Sequence, residues 1–276
     1  MADTVLIDAH QHFWDPSRGD YHWLSPGSPL DRVFGPADLI DQSRAHGVTG
    51  TILVQAAETE AETDYMIALA RATPWVVGIV GWIDLAAPDA AARVAQRAGP
   101  CVGLRPMLQD MADREWILGT ALEPALCAMA DRCMVFDALV RPDQIAAITR
   151  LADRFPGLTI VIDHAGKPAI GDRAAEAVWR SAIGEAALRP NIACKLSGLM
   201  TEMTAGATEA DLVATIAVLV DLFGPDRLIW GSDWPVLTLA GRYGDWIDLC
   251  RRSVPAAQHS AVFGANALRI YGIDRG

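Results

Sequence analysis

Apolar residues fall into eight short runs along the chain, each closed by a few polar or glycine-rich positions and followed by a longer stretch of helical spacing. The runs lie at 5–9, 50–54, 76–82, 101–105, 134–139, 159–163, 192–196 and 228–230. Between them, apolar positions recur near every 3.6 residues at 37–46, 60–72, 89–98, 114–132, 142–155, 174–188 and 209–223, with 242–252 and 258–271 closing the series. The short runs are apolar at consecutive positions instead of alternating, which predicts strands buried on both faces of a parallel sheet. Strand, loop and helix in units of roughly 30 residues, repeated eight times, predict an α/β fold of the (β/α)8 TIM-barrel type. A doubly wound sheet shares that alternation, but the glycine fingerprint it carries after the first strand is replaced here by Asp8-Ala9-His10-Gln11-His12. No linker or low-complexity tract divides residues 1–276, so one domain is expected. Its long loop at 13–36, with four Pro and three Gly, is expected to cover the active-site mouth.

Composition narrows the class. Of the 276 residues, 51% are hydrophobic and 21% charged, which suits a large core and excludes a disordered or coiled-coil chain. The net charge of −11, with no basic block, makes nucleic acid a poor partner. The longest apolar run, 212–220, falls short of the roughly 20 residues a membrane helix needs. The opening Met1-Ala2-Asp3-Thr4 lacks the basic start of a signal peptide. Five cysteines without a C-x-x-C pair read as free thiols, so a cytoplasmic protein is expected. A homo-oligomer is compatible with all of this.

Functional groups of such barrels collect at the C-terminal ends of the strands. Those positions hold His10-Gln11-His12, Gln55, Arg105, Asp163-His164 with Lys167 behind, Lys195-Leu196-Ser197 and Ser232-Asp233. His10 and His12, two apart on a strand, share a face and can reach one ion such as Zn²⁺. With His164 and Asp233 they form a mononuclear hydrolase constellation, in which Asp233 takes a proton from the attacking water. Competing structural readings are a core histidine at 164 and a helix N-cap at Asp233. Arg105 and Lys195, each ending an apolar strand, need a carboxylate or a polar ligand. They are read either as internal salt bridges or, with Gln11 and Gln55, as substrate contacts. Among the aromatics Trp14, Tyr21, Trp23, Trp82 and Trp234, some suit the C–H faces of a sugar and others only packing; Trp14 and Trp82 are taken as substrate-binding. His22, His46 and His259 read as solvated, 58–62 as a helix start, and Ser197 lacks a nucleophile motif.

Several stretches then resemble one family: Ile-Asp-Ala-His-Gln-His-Phe-Trp-Asp-Pro (7–16), Tyr-His-Trp-Leu (21–24), Val-Gly-Leu-Arg (102–105) and Ile-Asp-His-Ala-Gly-Lys-Pro (162–168). Lys-Leu-Ser-Gly-Leu (195–199), Trp-Gly-Ser-Asp-Trp-Pro (230–235) and Gly-Ala-Asn-Ala-Leu-Arg-Ile-Tyr (264–271) continue it in order. The chain resembles the amidohydrolase superfamily, in the branch of sugar-acid lactonases of the L-fuconolactonase and L-rhamnonolactonase types. The resemblance implies opening of a lactone by water, with Asp233, His164 and His12 catalytic. It also implies one divalent metal, Zn²⁺, on His10, His12, His164 and Asp233. The lysine that many superfamily members carbamylate after strand 4 has no counterpart, so the implied site is mononuclear. Some lactonases of this branch keep the cluster yet work without metal, which would make the imidazoles direct hydrogen-bonding groups. Alternatives are a metal-dependent decarboxylase on the same barrel and a non-catalytic sugar-acid binding protein.

Overall fold

The computed structural model describes residues 5–274, so the reading of residues 1–4 as free of a signal peptide lies outside it. Its eight strands are β1 (Ile7–Gln11), β2 (Gly50–Val54), β3 (Val76–Gly81), β4 (Gly103–Leu104), β5 (Val135–Ala138), β6 (Ile160–Ile162), β7 (Ile192–Leu196) and β8 (Leu228–Trp230). They pair in parallel in chain order. At the far edge, Asp233 N–H donates to His10 O at 2.7 Å and His12 N–H to Trp234 O at 2.8 Å, bringing β8 back to β1. The helices outside this ring are α1 (Pro36–Ala45), α2 (Glu60–Ala72), α3 (Ala90–Arg97), α4 (Glu123–Asp131), α5 (Ile145–Arg154), α6 (Arg173–Ala187), α7 (Glu209–Arg227), α8 (Tyr243–Ser253) and α9 (Asn266–Ile270). The architecture is a (β/α)8 barrel. Among the described residues no helix is long and apolar enough to cross a membrane.

Two of the expected helices break up. The stretch 114–132 becomes two short 3-10 turns and then α4. Gly119 is extended (φ −61°, ψ 135°), and Pro124, lacking an N–H, fits only the first helical turn, so α4 begins at Glu123. The stretch 258–271 similarly divides into a 3-10 turn, a π-helical turn and α9.

The core has two parts. Between strands and helices lies the larger apolar layer. Inside the ring, Ile7, Ile52, Val80, Val135, Val161, Ala193 and Ile229 fill the lower barrel, with Tyr271 from the chain's end beneath them. Burying each such aliphatic side chain is worth roughly 1.5–3 kcal/mol. This apolar plug leaves the polar side chains of the same strands to occupy the upper half. One irregularity makes that possible in β1: Asp8 pairs with Thr51 and Gln11 with Leu53, so three steps on β1 answer two on β2. Ile7 and Ala9 pack inside, and the bulge lets His10 and His12 face the interior as well. Asp8 turns the other way and accepts from Ser232 N–H (2.8 Å) and Tyr243 O–H (3.0 Å). Gly231 has no side chain to obstruct the crossing; a Cβ there would lie 2.7 Å from that of His10.

Candidate active site

Four side chains converge at the C-terminal end of the barrel. The Nε2 atoms of His12, His10 and His164 lie 3.3, 3.7 and 3.8 Å from Asp233 Oδ1, with all four residues buried. The far side of each ring is engaged. His12 Nδ1 is 2.8 Å from Val54 O, a pure acceptor, so this nitrogen carries a proton. His164 Nδ1 meets Ser197 Oγ at 2.9 Å. His10 Nδ1 lies 3.2 Å from Lys195 Nζ and 3.4 Å from Asp163 Oδ1, and Arg105 points an N–H at His10 Nε2 from 3.3 Å. Neither competing structural reading describes these groups: His164 lines a cavity, and the Asp233 side chain turns to the imidazoles instead of capping the 3-10 turn Val236–Leu239.

Backbone strain aims two of the four. His164 (φ 51°, ψ 36°), Ala165 (φ 52°, ψ 23°), Gly166 and Lys167 (φ 56°) follow one another in left-handed conformation, and Asp233 has φ 60°. For residues with a Cβ this costs roughly 1–2 kcal/mol each. The left-handed turn lets Asp163 and His164, adjacent in sequence, both address the barrel interior. Gly198, itself at φ 65°, allows the close approach: a Cβ there would be 2.4 Å from His164 Nδ1.

Beneath the cluster runs a buried ionic column. Lys195 Nζ lies 2.5 Å from Asp137 Oδ2 and 3.0 Å from Asp163 Oδ1, and Tyr271 O–H donates to both Asp137 oxygens at 2.8 and 2.9 Å. Arg105 pairs with Asp163 Oδ2 at 3.1 Å and donates to Gln55 O and, at 3.1 Å, to Gln55 Oε1. Burial pushes the Asp163 carboxyl up, but Lys195, His10 and Arg105 outweigh it and hold it well below the usual carboxylate range. Asp233 behaves alike: burial raises it, and His164, His12 and His10 together bring it below that range. Burial drops His164 to about 4 and His10 well below the usual histidine value, so both rings are neutral at pH 7.

Above the cluster opens a cavity of about 500 Å³. Of the residues expected from sequence, His12, Trp14, Arg105, His164 and Asp233 line it, with His10 just below. Gln11, Gln55, Trp82 and Lys195, expected at the substrate, do not. Gln11 alternates away from the histidines beside it and is fully buried, Gln55 braces Arg105, and Lys195 is enclosed by Asp137 and Asp163. Trp82 lies off the cavity with its backbone N–H on Thr63 Oγ1. Sequence reasoning missed Asp20 and His22 in the long loop, Glu58 after β2, and Gln109 and Asp110 after β4, all of which line the cavity. Their loops carry no periodicity that would single them out.

The long loop is fastened at both ends of its span. Trp14 and Phe34 exchange backbone hydrogen bonds at 3.0 and 2.9 Å, and Trp14 Nε1–H donates to Leu30 O and Arg32 O. Farther out, Trp23 Nε1–H donates to Ala56 O (2.7 Å), and Thr59 Oγ1–H to Asp20 Oδ1 (3.0 Å). Behind this seam, Glu62 accepts from Ala56 N–H and Ala57 N–H at 3.0 and 2.7 Å. Burial pushes the Glu62 carboxyl up to about 7 against the pull of these donors. In the unfolded chain a glutamate titrates near 4.3. Between those values the folded protein binds more protons than the unfolded one, so this group's contribution to stability falls as pH rises and levels off above about 7. Compared with wild type, Glu62→Gln should therefore gain in relative Tm between pH 5 and pH 8. A difference in Tm that stays constant with pH would show that Glu62 is not the titrating group.

Parallel barrel, C-terminal rim and a histidine–carboxylate cluster define the class: a barrel of the amidohydrolase type. The chain belongs to the amidohydrolase family, whose model matches residues 7–273. It is 43% identical to an L-fucono-1,5-lactonase of Burkholderia ambifaria, across 99% of this chain and 97% of that protein. It is 36% identical to an L-fucono-1,5-lactonase of Burkholderia multivorans, across 98% and 97%. A crystal structure of an amidohydrolase from Burkholderia multivorans with bound Zn superposes with a TM-score of 0.92 at 36% identity, covering 98% of this chain and all of that one.

Proposed function

We propose that this chain hydrolyses a sugar-acid lactone of the L-fucono-1,5-lactone kind, by adding water to the ester carbonyl. The observation that carries the reading is the meeting of three imidazole Nε2 atoms and one carboxylate oxygen on the floor of a cavity sized for one small polar ligand. The names of the two Burkholderia lactonases support the substrate class. Asp233 takes the proton from water as the C–O bond forms and can return it to the departing ring alkoxide. Arg105, at the cavity wall, faces the developing oxyanion. His12 and His164 orient the carbonyl and the water. Trp14 and Trp23 present aromatic surface to the C–H face of the ring. Lys195 is read as structural. The five cysteines, none paired, fit a reducing, cytoplasmic setting.

The donor set fits a divalent ion. One ligand atom from each of His10, His12 and Asp233 lies within 4.8 Å of the others, and His164 Nε2 stands 3.8 Å from the same Asp233 oxygen, a spread that a divalent ion would draw together. The Nδ1 atoms of His12 and His164, engaged by Val54 O and Ser197 Oγ, are oriented as ligating histidines usually are. His10, His12, His164 and Asp233 would hold it, and when bound it would polarise the carbonyl and acidify water. Arg105 shares the lone pair of His10 Nε2, so its guanidinium must release that contact to a ligand there.

A lactone panel read with a pH indicator tests the function. Proton release from sugar-acid 1,5-lactones is expected, whereas CO₂ release from an unsaturated acid would point to decarboxylation, and binding without turnover to a carrier. Elemental analysis is expected to find up to one equivalent of divalent cation, with chelation lowering the rate. Full activity in metal-free protein would assign the imidazoles to direct hydrogen bonding.

A further inference from the structure

The two strained turns of the site are each held from behind by an indole. Trp179 of α6 is buried, and its Nε1–H donates to Ala165 O at 2.7 Å. Trp246 of α8 is fully buried, and its Nε1–H donates to Gly231 O at 2.9 Å. Ala165 directly follows His164, and Gly231 stands two residues before Asp233. Both site residues sit in left-handed backbone, a conformation an L-residue leaves readily unless its surroundings hold it. Leaving it would swing the side chain, since the Cα–Cβ direction turns with φ. The tolerance is small, because Gly198 packs against the ring of His164 without room for a Cβ.

We propose that Trp179 and Trp246 are positioning residues of this site, their indole N–H groups holding the 164–167 and 231–233 turns by a carbonyl and so aiming His164 and Asp233 at one point. Neither indole lines the cavity, so neither touches substrate. Removing an N–H leaves a buried carbonyl unpaired next to a turn that has a lower-energy alternative. The loss should therefore appear in turnover, with little change in substrate binding. The activity arm of this proposal rests on the lactonase reading above.

Trp179→Phe and Trp246→Phe are each expected to lower kcat by on the order of 10–100-fold, the scale of a misplacement near 1 Å, with KM within about 3-fold of wild type. Trp75→Phe is the control. Trp75 is buried just before β3, at the opposite end of the barrel, and its Nε1–H has no partner among the described residues, so this change removes a similar volume without removing a hydrogen bond seen there. It should keep kcat within about 2-fold. Should the phenylalanine variants fail to fold, 3-benzothienylalanine at 179 or 246 keeps the ring shape and lacks only the N–H. Retention of more than about half of kcat by the benzothienyl variants, or an equal loss in Trp75→Phe, overturns the proposal. If the wild type opens no lactone, the functional reading fails by itself. The histidine ring ¹⁵N–¹H spectrum then decides the positioning role: displaced signals at 179 and 246 but not at 75 support it, and unmoved signals in all three overturn it.

Discussion

Asp233→Asn lowers kcat/KM for lactone opening by about 10²–10⁴-fold with the fold intact, the usual worth of a general base. Asparagine keeps the size and much of the hydrogen bonding but cannot take a proton from water. A lactone carbonyl is a modest electrophile, so neutral water must lose that proton as the bond forms. Asp233 Oδ1 is the carboxylate oxygen shared by the three imidazoles, and its carboxyl lies below the usual range despite burial, so it is ionised throughout neutral pH. The pH consequence has a definite sign. A base with a depressed pKa is active above that pKa and is lost as pH falls through it, so the acid limb belongs below the ordinary carboxylate region. His164, near 4, takes up a proton first on that descent, converting an acceptor nitrogen to a donor. Retention of more than about a tenth of wild-type activity by Asp233→Asn would remove Asp233 from the base role.

Lys195→Met is the second large effect, and it falls on stability. Lys195 is fully enclosed and pairs with Asp137 and Asp163. Methionine matches its length but leaves buried carboxylates facing no ammonium, and breaking such a pair from one side typically costs 3–5 kcal/mol. A loss of about that size is expected in urea unfolding at pH 8. Burial already pushes Asp137 up to about 6 in the presence of Lys195, so in the variant it protonates more readily still. The deficit should shrink at pH 5, and Asp137→Asn added to Lys195→Met should recover part of it. A loss below about 1 kcal/mol at pH 8 would return Lys195 to the candidates for substrate contact.

The two variants probe groups whose legibility differed. Asp233 was readable because Trp-Gly-Ser-Asp-Trp-Pro follows a short apolar run, which places a carboxylate at a strand end. Asp137 was not, since it lies inside the run Val135–Ala138, and nothing in a string of letters distinguishes a buried partner from a surface charge. Lys195 and Gln55 were found as strand-end residues but assigned to substrate. Their enclosure depends on what the neighbouring strands put opposite them: Asp137 and Asp163 for Lys195, Arg105 for Gln55.

Hydrophobic period determined the barrel from sequence alone, because consecutive apolar residues bury both faces of a parallel strand and the repeat of eight leaves one compact closure. It also placed His10, His12, His164 and Asp233 among the strand-end groups, because the rim of such a barrel is where polar residues can end an apolar strand. Tertiary structure alone decided their aim. Strict alternation would turn His10 and His12 away from the face that Ile7 and Ala9 fill; the β1 bulge, held by Asp8 on Ser232 and Tyr243, turns them in. His164 and Asp233 reach the same point through left-handed backbone that no local propensity favours, stabilised by contacts from residues far away in the chain. Periodicity is a local property and survives in the sequence, whereas strain at a single residue is paid back only by the packing around it.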